Sequence, residues 1–518
     1  MKSGEPNAGK ELYQQLRAMP WERLWTQEVP RFDRAAPEER MRRVAVVRAV
    51  GVVFSEAGPV AQGGAVRMWL RKLLADPEEK IRRYAMAALP KTGAGTEDES
   101  ALLALLKSTG NDREKKFLSG ALEKIGGAET LAATRGLLPQ TEQKARAAVA
   151  RSECPGVVRM DRMLDDFEGV KIHLRGRRGL EGAMRSEAVA HGKFRAIDFR
   201  DGLVVIEPAA PFSLADVYAM RCFGTAGFFL GTAPAESLAG VMTSPRARSL
   251  LKTFTDGPAR YRIDFVSKGH QRGAVRELAN RAYALCPEIL NDPRSALWAM
   301  DIFSGAHGES VELRPRWTPD PRFAYRLQDI PAASHPPLAA CMARLAGRAQ
   351  DEVVWDPFCG SGTELIECAL LGGVRVLYGT DRSAEALAIA QRNFAAAGAS
   401  VAAQWFCRDF REHTAIAELG PGRVSLIITN PPMGMRVPIP NLRALIADLF
   451  DAAAVALRPG GRLVFANPLR MENPHPLLGL QSRQVVDMSG FDCRIEMYVR
   501  RPGSTGRDQR GFKASNAA

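Results

Sequence analysis

Four polar side chains in the last third of the sequence each follow an apolar run that is typical of a buried strand. Asp356 follows EVVW, Asp381 follows VLYGT, Asp409 follows WFCR, and Asn430 follows VSLIIT. The carboxyl ends of parallel strands meet at one edge of a sheet, and ligands of such sheets bind at that edge. The four side chains therefore predict one polar, ligand-binding edge.

The stretch VVWDPFCGSGTELIECAL predicts a strand, a short loop and a helix. The strand ends at Trp355, the loop contains Gly360 and Gly362, and the helix begins near Thr363. Glycines let a ligand approach the backbone closely, and the first turn of a helix offers unpaired N–H groups. Gly-x-Gly alone also serves as a plain tight turn. Asp381, at the tip of the next predicted strand, stands where a doubly wound fold places a carboxylate on ribose hydroxyls, so the pattern favours a nucleoside-containing ligand.

Taken together, the motifs at these strand ends resemble those of a known enzyme family. DPFCGSGT with GTD, RDF and TNPPMG resembles the class I S-adenosylmethionine-dependent methyltransferases that modify planar amines. FAYRLQDIPAASHPPLAACM, which precedes them, resembles the linker into the catalytic domain of the THUMP-domain RNA guanine-N2 methyltransferases. The resemblance is specific over roughly 320–470. It is weaker over 165–320, where GLEGAMRSEAVAHGKFRAIDFRDGLVVIEP and VYAMRCFGTAGFFLG are similar to the ferredoxin-like and THUMP region of those enzymes.

The resemblance implies S-adenosylmethionine as the cofactor. It implies that four residues around the glycine loop cradle the methionine part of the cofactor: Asp356, Phe358, Gly360 and Gly362. It also implies that Asp381 holds the ribose hydroxyls and that Asp409 meets the adenine edge. No metal is expected, because the seven histidines and eight cysteines are dispersed without the spacing of a metal site.

The resemblance places catalysis in the loop Asn430-Pro431-Pro432-Met433. An exocyclic purine amine is a poor nucleophile because its lone pair is delocalised into the ring, so its two hydrogens need acceptors that turn it toward the methyl group. The side-chain oxygen of Asn430 and the backbone carbonyl of Pro431 are such acceptors, and the prolines stiffen the loop. Met433 stands where the family usually has Tyr or Phe stacked on the target base, and a thioether can also pack against a base.

The predicted activity is methylation of the exocyclic N2 amine of a guanine in transfer or ribosomal RNA. Two alternatives stay open: methylation of adenine N6 in DNA or of glutamine in protein, since Asn-Pro-Pro loops serve any planar amine, and a non-catalytic scaffold. No groove-reading DNA-binding module is recognisable in the chain. Arg436 could meet a substrate phosphate or be a solvated loop residue. The stretches Tyr325-Arg326 and His335-Pro336 could line the cofactor entrance or cap the first helix of the domain.

The elements that must position these residues form three predicted regions and a tail. Residues 330–500 alternate strands and helices, which predicts a Rossmann-like domain with a mostly parallel sheet. Residues 165–325 mix short alternating strands such as KFRAIDFR with helices, which predicts an α+β region. The resemblance implies that this region is THUMP-like and binds RNA. Aromatic and basic residues interleave there, as in RYRIDFVSKGHQR, which fits either an RNA surface or half-buried strands. Residues 501–518 predict a basic, disordered tail.

Residues 1–155 are rich in Ala, Leu, Arg and Glu at helical spacing and contain an internal repeat. Shifted by 33 residues, six positions match in type. The matched pairs are Trp69 and Leu102, Leu70 and Leu103, Leu73 and Leu106, Tyr84 and Phe117, Leu89 and Leu122, and Gly93 and Gly126. Such a period resembles HEAT-like repeats of paired helices, and a helical bundle with chance periodicity is the alternative.

The amino-acid composition indicates the kind of partner and the cellular location to expect. The 71 Lys and Arg against 58 Asp and Glu give a net charge of +13, a surplus that suits a polyanionic partner such as RNA. Single, scattered cysteines predict reduced thiols, and no apolar run has the length of a signal or membrane segment, so the expected location is the cytoplasm without membrane contact. A protein partner on the repeats stays open, and the sequence leaves the oligomeric state undetermined.

Overall fold

The computed structural model describes residues 8–135, 138–269, 271–306, 308–316, 319–331, 333–347, 349–434, 439–469, 475–488 and 490–502. The chain divides into two compact units. Unit 1 contains residues 1–158 and 230–311, and unit 2 contains residues 159–229 and 312–518. Arg436, His270 and residues 503–518 of the predicted tail lie outside the described residues.

The N-terminal part of unit 1 is helical, as its composition predicts. Its helices are Ala8–Arg17, Trp21–Arg23, Val29–Arg34, Pro37–Arg42, Ala45–Ala57, Gly63–Leu73, Glu79–Ala88, Glu99–Ser108, Asp112–Ile125, Ala128–Thr134 and Pro139–Glu153. One π-helical turn, Leu24–Glu28, lies between the second and third of these helices.

The 33-residue repeat corresponds to two successive helical pairs. Helices Gly63–Leu73 and Glu79–Ala88 form the first pair, and helices Glu99–Ser108 and Asp112–Ile125 form the second. All the matched apolar residues lie in or against one hydrophobic core. The matched glycines differ in conformation, since Gly93 has a φ of 73° and Gly126 a φ of −65°. The repeat therefore describes packing positions rather than a shared turn.

Residues 230–311 add strands and helices to unit 1. The strands are Thr255–Asp256, Arg260–Phe265, Leu290–Asn291 and Trp298–Gly305, and the helices are Leu238–Met242, Pro245–Thr253 and Arg272–Leu285. The strand Arg260–Phe265 pairs in parallel with both Leu290–Asn291 and Trp298–Gly305. A short strand, Val157–Val158, pairs antiparallel with Thr255–Asp256.

The first part of unit 2 is an antiparallel sheet with two helices. Its strands include Lys171–Arg175, Phe194–Arg200 and Leu203–Pro208, with two short ones, Met163–Leu164 and Phe212–Ser213, and its helices are Glu181–His191 and Leu214–Ala219. Lys171–Arg175 lies between Leu203–Pro208 and residues 225–229 of the strand Thr225–Ala233. The strands Thr225–Ala233 and Gly308–Pro315 are each divided between the two units. The predicted region 165–325 thus contributes residues to both compact units, and its status as one domain stays a prediction.

The second part of unit 2 is a Rossmann-like domain with a seven-stranded sheet. In chain order the strands are Glu352–Asp356, Val374–Asp381, Ala402–Cys407, Val424–Thr429, Leu457–Asn467, Leu478–Asp487 and Asp492–Arg500. Their order in the sheet is third, second, first, fourth, fifth, seventh and sixth. The first five are parallel, and the seventh runs antiparallel to both of its neighbours. The helices are Pro336–Leu345, Thr363–Leu371, Ala384–Ala397 and Leu442–Ala456.

A buried ionic network joins the two parts of unit 2. The guanidinium of Arg221 donates from Nε and Nη2 to the two carboxylate oxygens of Glu367 at 2.7 and 2.8 Å. Tyr325 Oη donates to the same carboxylate at 2.7 Å, and Glu367 is 1% exposed. Because a buried carboxylate needs such partners, this network holds the loop after the helix Leu214–Ala219 to the helix Thr363–Leu371 of the Rossmann-like domain.

Within the described ranges, no helix combines the length and the apolar character that crossing a bilayer requires.

Candidate functional site

A cavity of about 660 Å³ opens at the carboxyl ends of the first four strands of the seven-stranded sheet. Six of the predicted site residues line it: Phe358, Gly360, Asp381, Asp409, Asn430 and Pro432. The strands Glu352–Asp356, Val374–Asp381 and Val424–Thr429 end at or just before predicted residues, as the sequence pattern indicates. The volume lies within the range typical of pockets for small molecules and cofactors.

The other predicted residues lie close to the cavity without lining it. Asp356 is 0% exposed, and Gly362 is the N-cap residue of the helix Thr363–Leu371. Pro431 is buried, and Met433 is half-buried. Asp356 and Gly362 therefore shape the glycine loop without lining the cavity. The spacing of residues in the sequence does not distinguish these two roles.

The glycine loop has a backbone that favours glycine at two positions. Gly360 has a φ of 49° and Gly362 a φ of 81°, both in the left-handed region. A Cβ on Gly360 would lie 3.0 Å from Ile330 Cδ1, and one on Gly362 would lie 3.1 Å from Ala390 Cβ. The Gly360 N–H donates to Asp381 Oδ2 at 3.0 Å, so the loop and the second strand are locked together.

Asp356 holds the first and fourth strands in register at the edge of the sheet. Its Oδ1 accepts hydrogen bonds from Thr429 Oγ1 at 2.6 Å and from the Phe358 N–H at 3.0 Å. Its Oδ2 is buried and has no hydrogen-bond partner among the described residues. Burial, reinforced by the nearby Glu364 carboxylate, raises the pKa of Asp356 well above its ordinary value.

Asp381 and Asp409 present carboxylates that backbone amides already orient. Asp381 Oδ1 accepts from the Ser383 N–H at 2.9 Å. Asp409 Oδ1 accepts from the Arg411 N–H at 3.0 Å, and its Oδ2 lies 3.0 Å from an Arg411 guanidinium nitrogen. Both carboxylates line the cavity, so each can accept further hydrogen bonds from a ligand through its remaining lone pairs.

An aromatic wall completes the cavity. The rings of Phe358 and Phe410 lie 4.7 Å apart with an interplanar angle of 53°, and Ile389 and Leu445 add aliphatic surface. Phe410 was not among the predicted site residues, although it directly follows Asp409 in the motif RDF. An aromatic next to a strand-tip carboxylate was the available signal, because a purine ring needs an apolar face beside its polar edge.

The two polar atoms of the Asn430 side chain differ in their hydrogen bonding. Its Nδ2 donates to Ser334 Oγ at 2.8 Å, and the Ser334 hydroxyl donates to the Glu364 carboxylate. The Oδ1 of Asn430 is buried and has no hydrogen-bond partner in the part of the chain that the structure describes. Since Ser334 has a single hydroxyl proton, which Glu364 accepts, its oxygen accepts from Nδ2 and leaves Oδ1 available.

Ser334 and Glu364 are functional candidates that the sequence reasoning missed. Both line the cavity and are 6% and 4% exposed. Burial is the largest influence on the Glu364 carboxyl and raises its pKa. The sequence signal for Glu364 was a glutamate in the first turn of the helix after the glycine loop, and Ser334 carried none because its partner lies 30 residues away.

The sequence leaves open the roles of residues 325–326 and 335–336, and the structure shows what these residues contact. Tyr325 bonds to Glu367 within the buried network, and Arg326 pairs with Asp329 at 2.6 Å. His335 occupies the N-cap position of the helix Pro336–Leu345, and burial lowers its pKa.

The cavity fits an S-adenosylmethionine-like group. Asn430 Oδ1, a buried oxygen of the cavity lining, lacks a hydrogen-bond partner within the described ranges. A Cβ at Gly360 would press against the end of the Ile330 side chain, and the carboxylates, glycine backbone and aromatic wall supply the contacts that a nucleoside and an amino-acid tail require.

Comparison with known proteins agrees with this geometry. Residues 324–489 match the family described as "RMKL-like, methyltransferase domain". These residues are therefore similar to a methyltransferase domain, and they are called the methyltransferase domain below. The methyltransferase domain thus includes the glycine loop, the strand tips and the Asn-Pro-Pro segment described above.

Curated relatives of this chain have names that describe tRNA methyltransferases. The tRNA (guanine(6)-N2)-methyltransferase of Thermus thermophilus is 32% identical over 234 residues, which are 43% of this chain and 64% of the relative. The tRNA (guanine(10)-N2)-dimethyltransferase of Methanothermobacter thermautotrophicus is 28% identical over 186 residues, 35% of this chain and 49% of the relative. The chain thus spans less than two thirds of the length of these relatives.

A solved structure resembles a larger part of the chain. The crystal structure of TrmN from Thermus thermophilus matches with a TM-score of 0.50 and 21% identity, and covers 64% of this chain and 99% of that protein. At this identity the match supports the fold alone.

Proposed function

We propose that this protein is an S-adenosylmethionine-dependent methyltransferase that modifies the exocyclic N2 amine of a guanine in RNA, with transfer RNA as the favoured substrate. The observation that carries the proposal is Asn430 Oδ1, a buried acceptor without a described partner. It lines the same cavity as the glycine loop and Asp381. A free acceptor beside a nucleoside-shaped site is the feature that activation of a planar amine requires.

The cofactor would be held by residues that already line or shape the cavity. Asp381 would accept the ribose hydroxyls, Asp409 would meet the adenine edge, and Phe358 with Phe410 would cover the purine faces. Gly360 would let the methionine part approach the backbone, and Asp356 and Gly362 would hold the loop in that shape. When bound, S-adenosylmethionine supplies a sulfonium-bound methyl group that an amine nitrogen can accept.

The protein's own contribution to the reaction is the orientation of the amine. Asn430 Oδ1 and the carbonyl of Pro431 would each accept one N–H of the substrate, which turns the nitrogen lone pair out of conjugation with the ring. Pro431 and Pro432 restrict the loop that carries these acceptors. Such fixed acceptors stabilise the transition state without reorganisation during the reaction, and holding the two reactants in line supplies a further part of the rate.

Met433 would contact the face of the target base. Its side chain is half-buried beside the two prolines, and a thioether gains about 0.3 to 1.5 kcal/mol from contact with an aromatic ring. This smaller contact would replace the aromatic stacking that is usual at the position.

The choice of transfer RNA rests on the relatives with guanine-N2 activity in their names. A weaker match, the ribosomal RNA large subunit methyltransferase K/L of a Marinomonas species at 26% identity, covers 32% of that relative, and makes ribosomal RNA the second substrate to test. The net charge of +13 suits either RNA.

The remaining regions would serve substrate binding. The strands and helices within 165–325 are proposed to be a THUMP-like RNA-binding region, and the paired helices of residues 1–155 are proposed to be HEAT-like, in keeping with the shared core of the two helical pairs. A protein partner for the helices of residues 1–155 is the alternative to an RNA-binding role. The proposed location is the cytoplasm, which agrees with eight free cysteines.

The test is transfer of labelled methyl from S-adenosylmethionine to separated pools of transfer RNA, ribosomal RNA, DNA and protein. The expected result is label in transfer RNA, recovered as N2-methylguanosine after digestion and absent with Asn430→Ala. Label in DNA or protein would replace the proposal with adenine or glutamine methylation. Cofactor binding without transfer to any pool would favour a non-catalytic scaffold.

A further inference from the structure

A second cavity lies wholly within unit 1, outside the residues 324–489 that match the methyltransferase family. Its volume is about 640 Å³. Helices Asp112–Ile125 and Pro139–Glu153 of the helical region form one side, and the strand Arg260–Phe265 and the helix Arg272–Leu285 form the other. We call it the basic cleft. It joins the N-terminal helices to the segment in which aromatic and basic residues interleave.

The basic cleft has a strong surplus of positive charge. Seven Lys or Arg and three acidic residues line it. Each acidic residue already has a cationic partner in the cleft, in the pairs Lys144 with Glu123, Arg151 with Asp292, and Arg262 with Asp264. Asp292 also pairs with the buried Arg260 at 3.2 Å. Four cations therefore remain without a neutralising carboxylate in the lining.

All four of these cations are exposed, and three of them come from three separate segments. Lys124 lies near the end of the helix Asp112–Ile125, Arg272 begins the helix Arg272–Leu285, and Arg294 lies in the loop after Leu290–Asn291. Among the residues that the structure describes, none of the three is paired with a carboxylate. The fourth, Arg276, donates to the neutral Gln140 side chain, which leaves its charge uncompensated.

The arrangement suits an extended polyanion better than a small anion. A site for a single phosphate concentrates donors at one buried point, whereas these cations are exposed and distributed among several elements around the cleft. Phe265 lines the same cleft and gives it an aromatic surface. Exposed cations with an intervening aromatic ring match the phosphates and bases of single-stranded or looped RNA.

We propose that the basic cleft binds the sugar-phosphate backbone of the RNA substrate, so that the N-terminal helical region is part of the RNA-binding surface. This inference rests on the proposed function for the identity of the polyanion. It assigns to the helices a role that the sequence leaves open, because Lys124, Lys144 and Arg151 are brought to Arg262 and Phe265 only by folding.

The experiment measures binding of labelled transfer RNA to the full-length protein by fluorescence anisotropy over a series of salt concentrations. The cleft variant is Lys124→Gln/Arg272→Gln/Arg294→Gln. Its Kd is expected to rise about 10- to 100-fold near 0.1 M salt, and the slope of log K against log salt is expected to fall by about 2 to 3, roughly one for each lost phosphate contact. The single variants Lys124→Gln and Arg294→Gln should each lower the slope by about one.

The matched control removes three exposed cations of the same unit from outside the cleft, in Lys107→Gln/Arg113→Gln/Lys116→Gln. Its Kd should change by less than about twofold, since only contacted phosphates release counterions. Equal losses in the two triple variants, or no loss in the cleft variant and its single variants, would overturn the proposal. Tighter binding of polyglutamate than of transfer RNA would also overturn it in favour of an acidic protein partner.

Methyl transfer separates this inference from the proposed function. Wild-type protein that binds RNA through the cleft and transfers no methyl group would contradict the proposed function and leave the cleft standing. If the cleft variant methylates RNA and its Kd for RNA is unchanged, the proposed function stands and the proposal for the basic cleft fails.

Discussion

The methyltransferase cavity of unit 2 and the basic cleft of unit 1 use charge in opposite ways. At the cavity and on the helix Thr363–Leu371 behind it, Asp356, Glu364 and Glu367 are almost fully buried, and hydrogen bonds hold each of them. In the basic cleft, Lys124 and Arg294 are exposed and unconstrained by described carboxylates.

This difference follows from what each place is proposed to do. Turning one amine toward one methyl group requires acceptors held within a fraction of an ångström, which only a buried and fully packed network provides. Contacting a flexible polyanion requires long-range charge and tolerates motion. Substitutions should therefore affect stability and rate in unit 2, and affinity and its salt dependence in unit 1.

The largest expected effect is on stability in unit 2. Glu367→Ala leaves the Arg221 guanidinium without its carboxylate in a buried network, and should lower the free energy of unfolding by about 3 to 5 kcal/mol, measured by urea denaturation. The exposed pair of Arg408 and Glu412 provides the control, since its side chains are 50% and 60% exposed and Glu412→Ala should cost less than about 1 kcal/mol. Equal losses would mean that the network is not what holds unit 2 together.

The next effect is on catalysis. Asn430→Ala removes the acceptor for the substrate amine and should lower kcat by about 10² to 10³, with little change in the Kd of S-adenosylmethionine or RNA. Rate measurements under saturating conditions and calorimetry separate these quantities. A large loss of cofactor affinity with unchanged kcat would give Asn430 a binding role instead.

A smaller effect is expected from the residues that orient Asn430. Ser334→Ala frees Nδ2, so the amide can rotate, and kcat should fall by about 10- to 100-fold with the KM for RNA nearly unchanged. Ser334→Thr keeps the hydroxyl and should restore much of the rate. Glu364→Gln should lower kcat in the wild-type background and have little further effect beside Ser334→Ala, because both changes act on one hydrogen-bonded chain. Additive losses would separate the two residues.

The smallest effect is a pH dependence. Ionised Glu364 accepts the Ser334 proton, whereas protonated Glu364 donates to Ser334 Oγ and leaves the Ser334 proton free. The Asn430 amide can then turn so that Oδ1, in place of Nδ2, faces Ser334 and accepts that proton. Burial raises the pKa of Glu364, as does Glu367, whereas Ser334 and Arg326 oppose the rise, so kcat should begin to fall on acidification at a pH above that of an ordinary glutamate. Glu364→Gln should lack this acid limb. If kcat of Glu364→Gln still falls at the same acidic pH, the titrating group is Asp356, whose pKa is also raised.

Much of the methyltransferase domain could be read from local sequence. Prolines after Thr429 end a strand, glycines at 360 and 362 permit a left-handed loop, and apolar runs mark parallel strands, all of which are properties of neighbouring residues. The predicted positions of Asp381, Asp409 and Asn430 at successive strand ends agree with the structure for that reason. The repeated apolar positions of the helical region are likewise local and lie in one core.

Contacts between distant residues could not be read in this way. Ser334 meets Asn430 and Glu364 only when the segment before the domain folds across the edge of the sheet. The assignment of residues 159–229 to one compact unit and of 230–311 to the other also depends on packing that no local pattern encodes.

The sequence by itself determined the order of strands and helices, the polar rim of the sheet and the methyltransferase-like motifs of the last third of the chain, because hydrophobic period, glycine and proline act over a few residues. The tertiary structure decided which side chains are free to act. Burial and hydrogen-bond partners set the free acceptor on Asn430, the raised pKa of Glu364 and the uncompensated cations of the basic cleft, and those quantities depend on residues far apart in the chain.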